Sequence, residues 1–142
     1  MICLDDLRSA NEQRDLEWNT GTERVSITFR ACELAGEVGE LCNEIKKAER
    51  NRLGIAGGKV DRDAIADEMG DVLITLDLLA MDLGIDLSKA VQDKFNKTSI
   101  KHGLSARMNP SLTFSGALVS VNDPLPLKPT FLQRLILKLS SH

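Results

Sequence analysis

The sequence has no tyrosine, and aromatic residues make up only 4% of its 142 positions. That scarcity argues against a β-sandwich or barrel, whose strands draw on aromatic and β-branched side chains. Histidine occurs only at His102 and His142, and neither has a glutamate three residues before it. The Glu-x-x-His pairs of ferritin-like di-metal carboxylate proteins are therefore missing, and that class is rejected. The three cysteines, Cys3, Cys32 and Cys42, form no C-x-x-C spacing. They read as small hydrophobes in a reducing compartment. There is no excess of positive charge either: the formal net charge is -3, which gives no general attraction to a nucleic-acid polymer. Asp5, Asp6 and Arg8 interrupt any apolar run at the start, so no signal peptide is expected. Asp71, Asp77 and Asp82 interrupt the apolar stretch 69–83, which excludes a membrane span. The expectation is a soluble cytoplasmic protein with no membrane partner.

What is present is helical periodicity. Leu4, Leu7, Ala10 and Leu16 space a first helix over residues 4–18, ended by Gly21. Thr22 is placed to cap a long second helix over residues 23–52, with Ile27, Leu34, Val38, Leu41 and Ile45 as its apolar stripe. Gly54 stops it, and Gly57-Gly58 marks a connection. Asp61 or Asp63 starts a third helix carrying Ile65, Met69, Val72, Leu73, Leu76, Ala80 and Leu83, with Gly84 as its stop. Asp86 or Ser88 starts a fourth, with Leu87, Val91 and Phe95 on one face and Gly103 behind it. Four helices on short loops predict an all-α fold, a four-helix bundle over residues 1–104. The apolar arcs exceed what one small chain can cover, so a homo-oligomer is expected. All four prolines, Pro110, Pro124, Pro126 and Pro129, fall in residues 105–142. This stretch reads as an irregular C-terminal tail, with a β-prone segment at 113–121 and a short amphipathic helix at 130–139.

The informative feature is an acidic stripe. Glu33, Glu37, Glu40 and Glu44 fall within a wedge of roughly 60° on the second helix, bordering its apolar face. Each like-charge neighbour costs an isolated helix roughly 0.2–0.5 kcal/mol, and packing removes the solvent that would screen it. On the third helix, Glu68 and Asp71 edge another apolar arc. If the two helices pack through these arcs, Glu37 and Glu40 face Glu68 and Asp71. A divalent cation would resolve the repulsion. Carboxylate oxygens without His or Cys select a hard ion, Mg²⁺ where phosphates complete the shell, with Mn²⁺ the alternative. Glu33 and Glu44 read equally well as a solvated helix face.

The segments Glu33-Leu-Ala-Gly-Glu-Val-Gly-Glu-Leu41 and Ala66-Asp-Glu-Met-Gly-Asp-Val-Leu73 resemble the signature of MazG-like nucleoside triphosphate pyrophosphohydrolases. Lys94-Phe-Asn-Lys97, followed by Lys101-His-Gly103, is a third matching segment in the right order. The resemblance covers roughly residues 15–104 and does not extend into the tail. It implies an all-α dimer or tetramer that cleaves nucleoside triphosphates to the monophosphate and pyrophosphate, a role in clearing nucleotide pools. It implies Glu37, Glu40, Glu68 and Asp71 as metal ligands, with substrate contacts from Lys94, Asn96 and Lys97.

Hydrolysis at the α-phosphate must neutralise about four negative charges and activate water, and carboxylate-held metal serves both ends. Glu37 or Glu40 is the expected water-orienting base. Trp18 suits stacking on a nucleobase, although a lone tryptophan also serves as a core or interface anchor. Lys94 and Lys97 flank the fourth helix's apolar face and read either as phosphate donors or as a solvated basic face. Asp77 has no functional reading and is expected to face solvent or an interface. Two related enzymes, phosphoribosyl-ATP pyrophosphohydrolase and a dUTPase, share the carboxylate logic. A helical interaction module, docking through the tail's Phe131, Leu132 and Leu135, is the non-enzymatic alternative.

Overall fold

The computed structural model describes residues 3–108. Their order is α1 (Leu4–Trp18), α2 (Ile27–Arg52), α3 (Arg62–Asp82) and α4 (Leu87–Lys101), an all-α fold without strands among the described residues. The segments 113–121 and 130–139, expected to be β-prone and helical respectively, lie outside them. No described helix is long and apolar enough to cross a membrane.

Helix starts follow side-chain caps. Cys3 caps α1 reciprocally with Asp6, the Asp6 amide donating to Sγ at 3.4 Å and the Cys3 amide to Asp6 Oδ2 at 3.0 Å. Asp61 and Asp86 cap α3 and α4 by accepting from the Ala64 and Lys89 amides. For α2 the cap is Ser26, which accepts from the Phe29 amide at 3.1 Å. The helix therefore starts at Ile27, four residues later than Thr22 would have set it.

Three stops share one geometry. Gly54, Gly84 and Gly103 have φ between 65° and 68°, and the residue after each donates back to the helix, Ile85 to the Ala80 carbonyl at 2.8 Å for example. This is the left-handed C-terminal stop that favours glycine. At the α2–α3 turn, a Cβ on Gly58 would sit 2.4 Å from the Asn51 nitrogen. Only glycine lets the loop lie against the end of α2, and the Lys59 amide then donates to the Lys47 carbonyl. The turn brings α3 back along α2, and these two helices form the main packing of the fold.

α1 packs on α3 through a polar face. Leu16, expected on the packing side, is 79% exposed, whereas Asn11 is buried. Asp77 on α3 is 1% exposed. It accepts from Arg8 Nη2 at 2.8 Å, Arg8 Nε at 3.1 Å and Asn11 Nδ2 at 3.0 Å. The sequence reading put Asp77 at solvent or an interface; it is instead the anchor for α1. The bidentate guanidinium supplies the compensation a buried carboxylate requires, and the Asp77 contact holds Arg8 still more firmly in its charged form.

The apolar core is thin. Among the described residues, Ala48, Ile65 and Ala80 are the buried hydrophobics. Val38, Ile45, Met69 and Leu73, from the expected stripes of α2 and α3, remain at least partly open. Cys32 and Cys42 are exposed as well, and not packed inside as their sequence neighbours suggested.

Candidate active site

The seam between α2 and α3 gathers acid from both sides. One carboxylate oxygen from each of Glu37, Glu40 and Glu68 lies within 4.8 Å of the others. Asp71 stands outside that triangle, one turn along α3. It is near enough to repel Glu37 and Glu68, and it lines a cleft together with Glu37. Of the four expected ligands, three converge and the fourth borders them.

The stripe divides by pairing. Its ends are neutralised within the chain: Glu33 accepts from Arg30 Nη1 at 3.1 Å, and Glu44 pairs with Lys47. In the centre, no salt bridge among the described residues reaches Glu37, Glu40, Glu68 or Asp71. Loss of solvent, and then the neighbouring acids Asp71, Glu40 and Glu33, push the Glu37 carboxyl above its usual range. Glu68 rises from the same two causes, with Glu40 its strongest repelling neighbour. Glu68 Oε2 is shielded from water and has no hydrogen-bond partner. A shielded carboxylate oxygen without a donor is costly, and a hard cation is the partner this all-oxygen donor set fits.

Beside the cluster opens a cleft of about 450 Å³ between α1, α2 and α3. Glu37 and Asp71 line one part of it; Trp18 and Phe29 supply aromatic faces. Trp18 is 77% exposed, so it is no core anchor in the protomer, and Arg14 lies over its ring at 5.9 Å from the centroid. The cleft wall includes a residue the sequence reading missed. Arg30, 4% exposed, pairs with Asp15 from α1, Glu33 from α2 and Asp82 from α3. Its i,i+3 spacing to Glu33 was visible in the sequence; the two long-range partners were not.

The basic helix lies apart. α4 leans chiefly on α1, and Lys94 and Lys97 are exposed and outside the cleft lining. Asn96 donates to the Met108 carbonyl at 2.9 Å and accepts from the Met108 amide at 2.8 Å. In this protomer it ties down the chain after α4.

Two helices sharing a cation-hungry acid cluster beside an aromatic cleft define an all-α carboxylate-site protein. Residues 28–103 match the family model described as the MazG nucleotide pyrophosphohydrolase domain, and the chain belongs to that family. Among curated proteins it is similar to the Gene 37 protein of Mycobacterium phage L5, 38% identical over 71 residues. That alignment covers 50% of this chain and 61% of the phage protein, so the chain spans about three fifths of that relative's length. No solved structure matches the chain. The family match begins at α2, leaving α1, with Arg14, Asp15 and Trp18, outside it.

Proposed function

We propose that the chain is a divalent-metal-dependent nucleoside triphosphate pyrophosphohydrolase, releasing a nucleoside monophosphate and pyrophosphate. The observation that carries this reading is the carboxylate triangle of Glu37, Glu40 and Glu68, which meets no cationic side chain among the described residues while an aromatic cleft adjoins it. Family membership supports the same chemistry.

In this reading Glu37, Glu40 and Glu68 hold the ion, with Asp71 completing the shell from the cleft side. Mg²⁺, or Mn²⁺ in its place, would supply charge neutralisation of the phosphates and a lowered pKa for water. Glu37 takes the proton of the attacking water, since it belongs to the triangle and also lines the cleft. The water oxygen bonds to the α-phosphorus, the bond to the α,β-bridging oxygen breaks, and pyrophosphate leaves. Trp18 stacks on the base, with Phe29 nearby.

Lys94, Asn96 and Lys97 as substrate contacts require more than one protomer, because α4 leans on α1 and away from the cluster. A homodimer or homotetramer, supported by the open apolar positions of α2 and α3, would bring α4 to a neighbouring site. Residues 1–104 are the catalytic unit, and residues 105–142 are an appended tail.

The test is pyrophosphate release across canonical and modified triphosphates with Mg²⁺, Mn²⁺ and chelator. Metal-dependent release supports the reading. An inert panel leaves the helical interaction module, and activity confined to phosphoribosyl-ATP or dUTP moves the chain to those enzymes. Light scattering tests the assembly: a stable monomer contradicts it.

A further inference from the structure

Taking the aromatic cleft as the nucleotide site, a reading on which this step rests, we infer that Arg30 is a positioning residue. Through Asp15 it fixes the last turn of α1, and with it Trp18, as one wall of that cleft. It governs how tightly the nucleotide is held and takes no part in breaking the bond.

The end of α1 has little else to hold it. From Glu12 to Arg24, Asp15 is the one residue that is not exposed. Leu16 and Trp18 both stand in solvent, so hydrophobic burial does not fasten this turn. The Arg8 and Asn11 contacts with Asp77 lie toward the start of the helix. Trp18 follows Asn11 by roughly 10 Å of helix axis. The turn is also ill suited to its own helix. A helix C-terminus favours a cation, whereas this one has no basic residue and carries Asp15 and Glu17.

Arg30 supplies what α1 lacks, against its own local preference. It stands in the first turn of α2, the end of a helix that disfavours a cation. Burial works against its charge, and the acids around it outweigh that burial. Nε donates to Asp82 Oδ2 at 3.0 Å, Nη1 to Glu33 Oε2 at 3.1 Å, and Nη2 to Asp15. One guanidinium thus joins α1, α2 and α3, a task for a planar fork and not for the single nitrogen of a lysine. The family match includes Arg30 and leaves Asp15 outside, so the clamp ties the matched region to an added helix. Fixing an exposed turn adds little to the core. What it does fix is Trp18 and Asn19, which line the cleft, and a wall ordered in advance spares that cost when a ligand binds.

Two variants separate this role from a structural one. Asp15→Ala cuts the α1 arm and leaves Arg30 its other two acids; Arg30→Lys keeps the charge and loses the fork. For the triphosphate of the panel that wild type cleaves fastest, KM should rise about tenfold in each, the scale of one lost base–aromatic stack. The kcat should stay within about twofold. Because Arg30 acts through Asp15, the double variant should be no worse than either single one. Trp18, the only tryptophan in a sequence without tyrosine, gives a readout free of turnover: its fluorescence anisotropy in the ligand-free protein should fall in both variants. The Mg²⁺-induced rise in melting temperature should match wild type. An unchanged KM in Arg30→Lys, additive effects in the double variant, or an unchanged anisotropy overturns the inference. So does a kcat that falls while KM holds, which would place Arg30 at the chemistry. If Arg30→Lys fails to fold, Asp15→Ala decides through KM and anisotropy together. A wild type that binds a panel triphosphate without cleaving it removes the hydrolase reading, and Kd then replaces KM in the same comparison. One that neither binds nor cleaves any of them overturns both.

Discussion

Two places in this small bundle gather carboxylates, and they treat them in opposite ways. At the α1–α3 contact, Asp77 meets Arg8 and Asn11, and nearby Asp15 and Asp82 meet Arg30. At the α2–α3 seam, Glu37, Glu40 and Glu68 meet one another. The first arrangement carries its cations in the sequence and is complete as folded. The second leaves a shielded oxygen on Glu68 without any donor. Charge burial alone therefore does not mark a functional site in this molecule. What marks it is burial that the chain leaves uncompensated, since a structural role would have selected a partner.

The contrast breaks most decisively at Glu40. Glu40→Gln keeps the shape of the side chain and removes one charge from the triangle. Pyrophosphate release should fall on the order of a thousandfold, the loss of several kcal/mol of metal-borne stabilisation, with far-UV circular dichroism unchanged. Retained turnover removes Glu40 from the site.

Next in size is the paired region. Asp77→Ala strands the Arg8 guanidinium, and removing one partner of a buried, hydrogen-bonded pair costs about 3–5 kcal/mol. Urea denaturation should show that loss against a total stability of only about 5–15 kcal/mol for a typical domain. A change below about 1 kcal/mol would mean that α1 is held by something other than this ion pair.

The seam should respond with the opposite sign. Glu68→Gln relieves the repulsion from Glu40, Asp71 and Glu37, so the metal-free protein should melt at a higher temperature than wild type. The same variant should lose most of the stabilisation that millimolar Mg²⁺ gives the wild type. Destabilisation of the metal-free form, measured by thermal melting, would place Glu68 with Asp77 as a structural acid.

The sequence made the uncompensated region easier to read than the compensated one. Glu37, Glu40, Glu68 and Asp71 sit at i,i+3 spacings on two periodic helices, and a local pattern suffices to align them. Helix ends were legible for the same reason: Gly54, Gly84, Gly103, Asp61 and Asp86 act within one turn. The start of α2 was missed because Ser26 and Thr22 are chemically similar caps, and the choice depends on the loop before the helix. Asp77 and Arg30 were missed because their partners lie far along the chain, 69 residues away for Arg8 and 52 for Asp82. The hydrophobic pattern also misled on α1, where Arg8 and Asn11 face α3 and Leu16 faces solvent. A polar interface has no apolar periodicity to betray it.

The smallest expected effect separates the two regions by pH. Glu37 and Glu68 have folded-state carboxyls raised above the ordinary value of 4.5. Below 4.5 both folded and unfolded chains hold these protons, and the groups contribute nothing to stability. As pH climbs past 4.5 the unfolded chain ionises first, so the folded state is progressively penalised until its own raised values are passed. Metal binding requires the ionised form, so the Mg²⁺-induced rise in melting temperature should be full near pH 7.5 and shrink toward zero as pH falls to about 4.5. Comparing melts with and without Mg²⁺ at each pH cancels the surface acids, such as Asp61 and Glu49, whose pairing with Lys59 and Arg52 shifts them the other way. A Mg²⁺ increment that stays constant across this range would mean that the ion binds somewhere other than the Glu37–Glu68 seam.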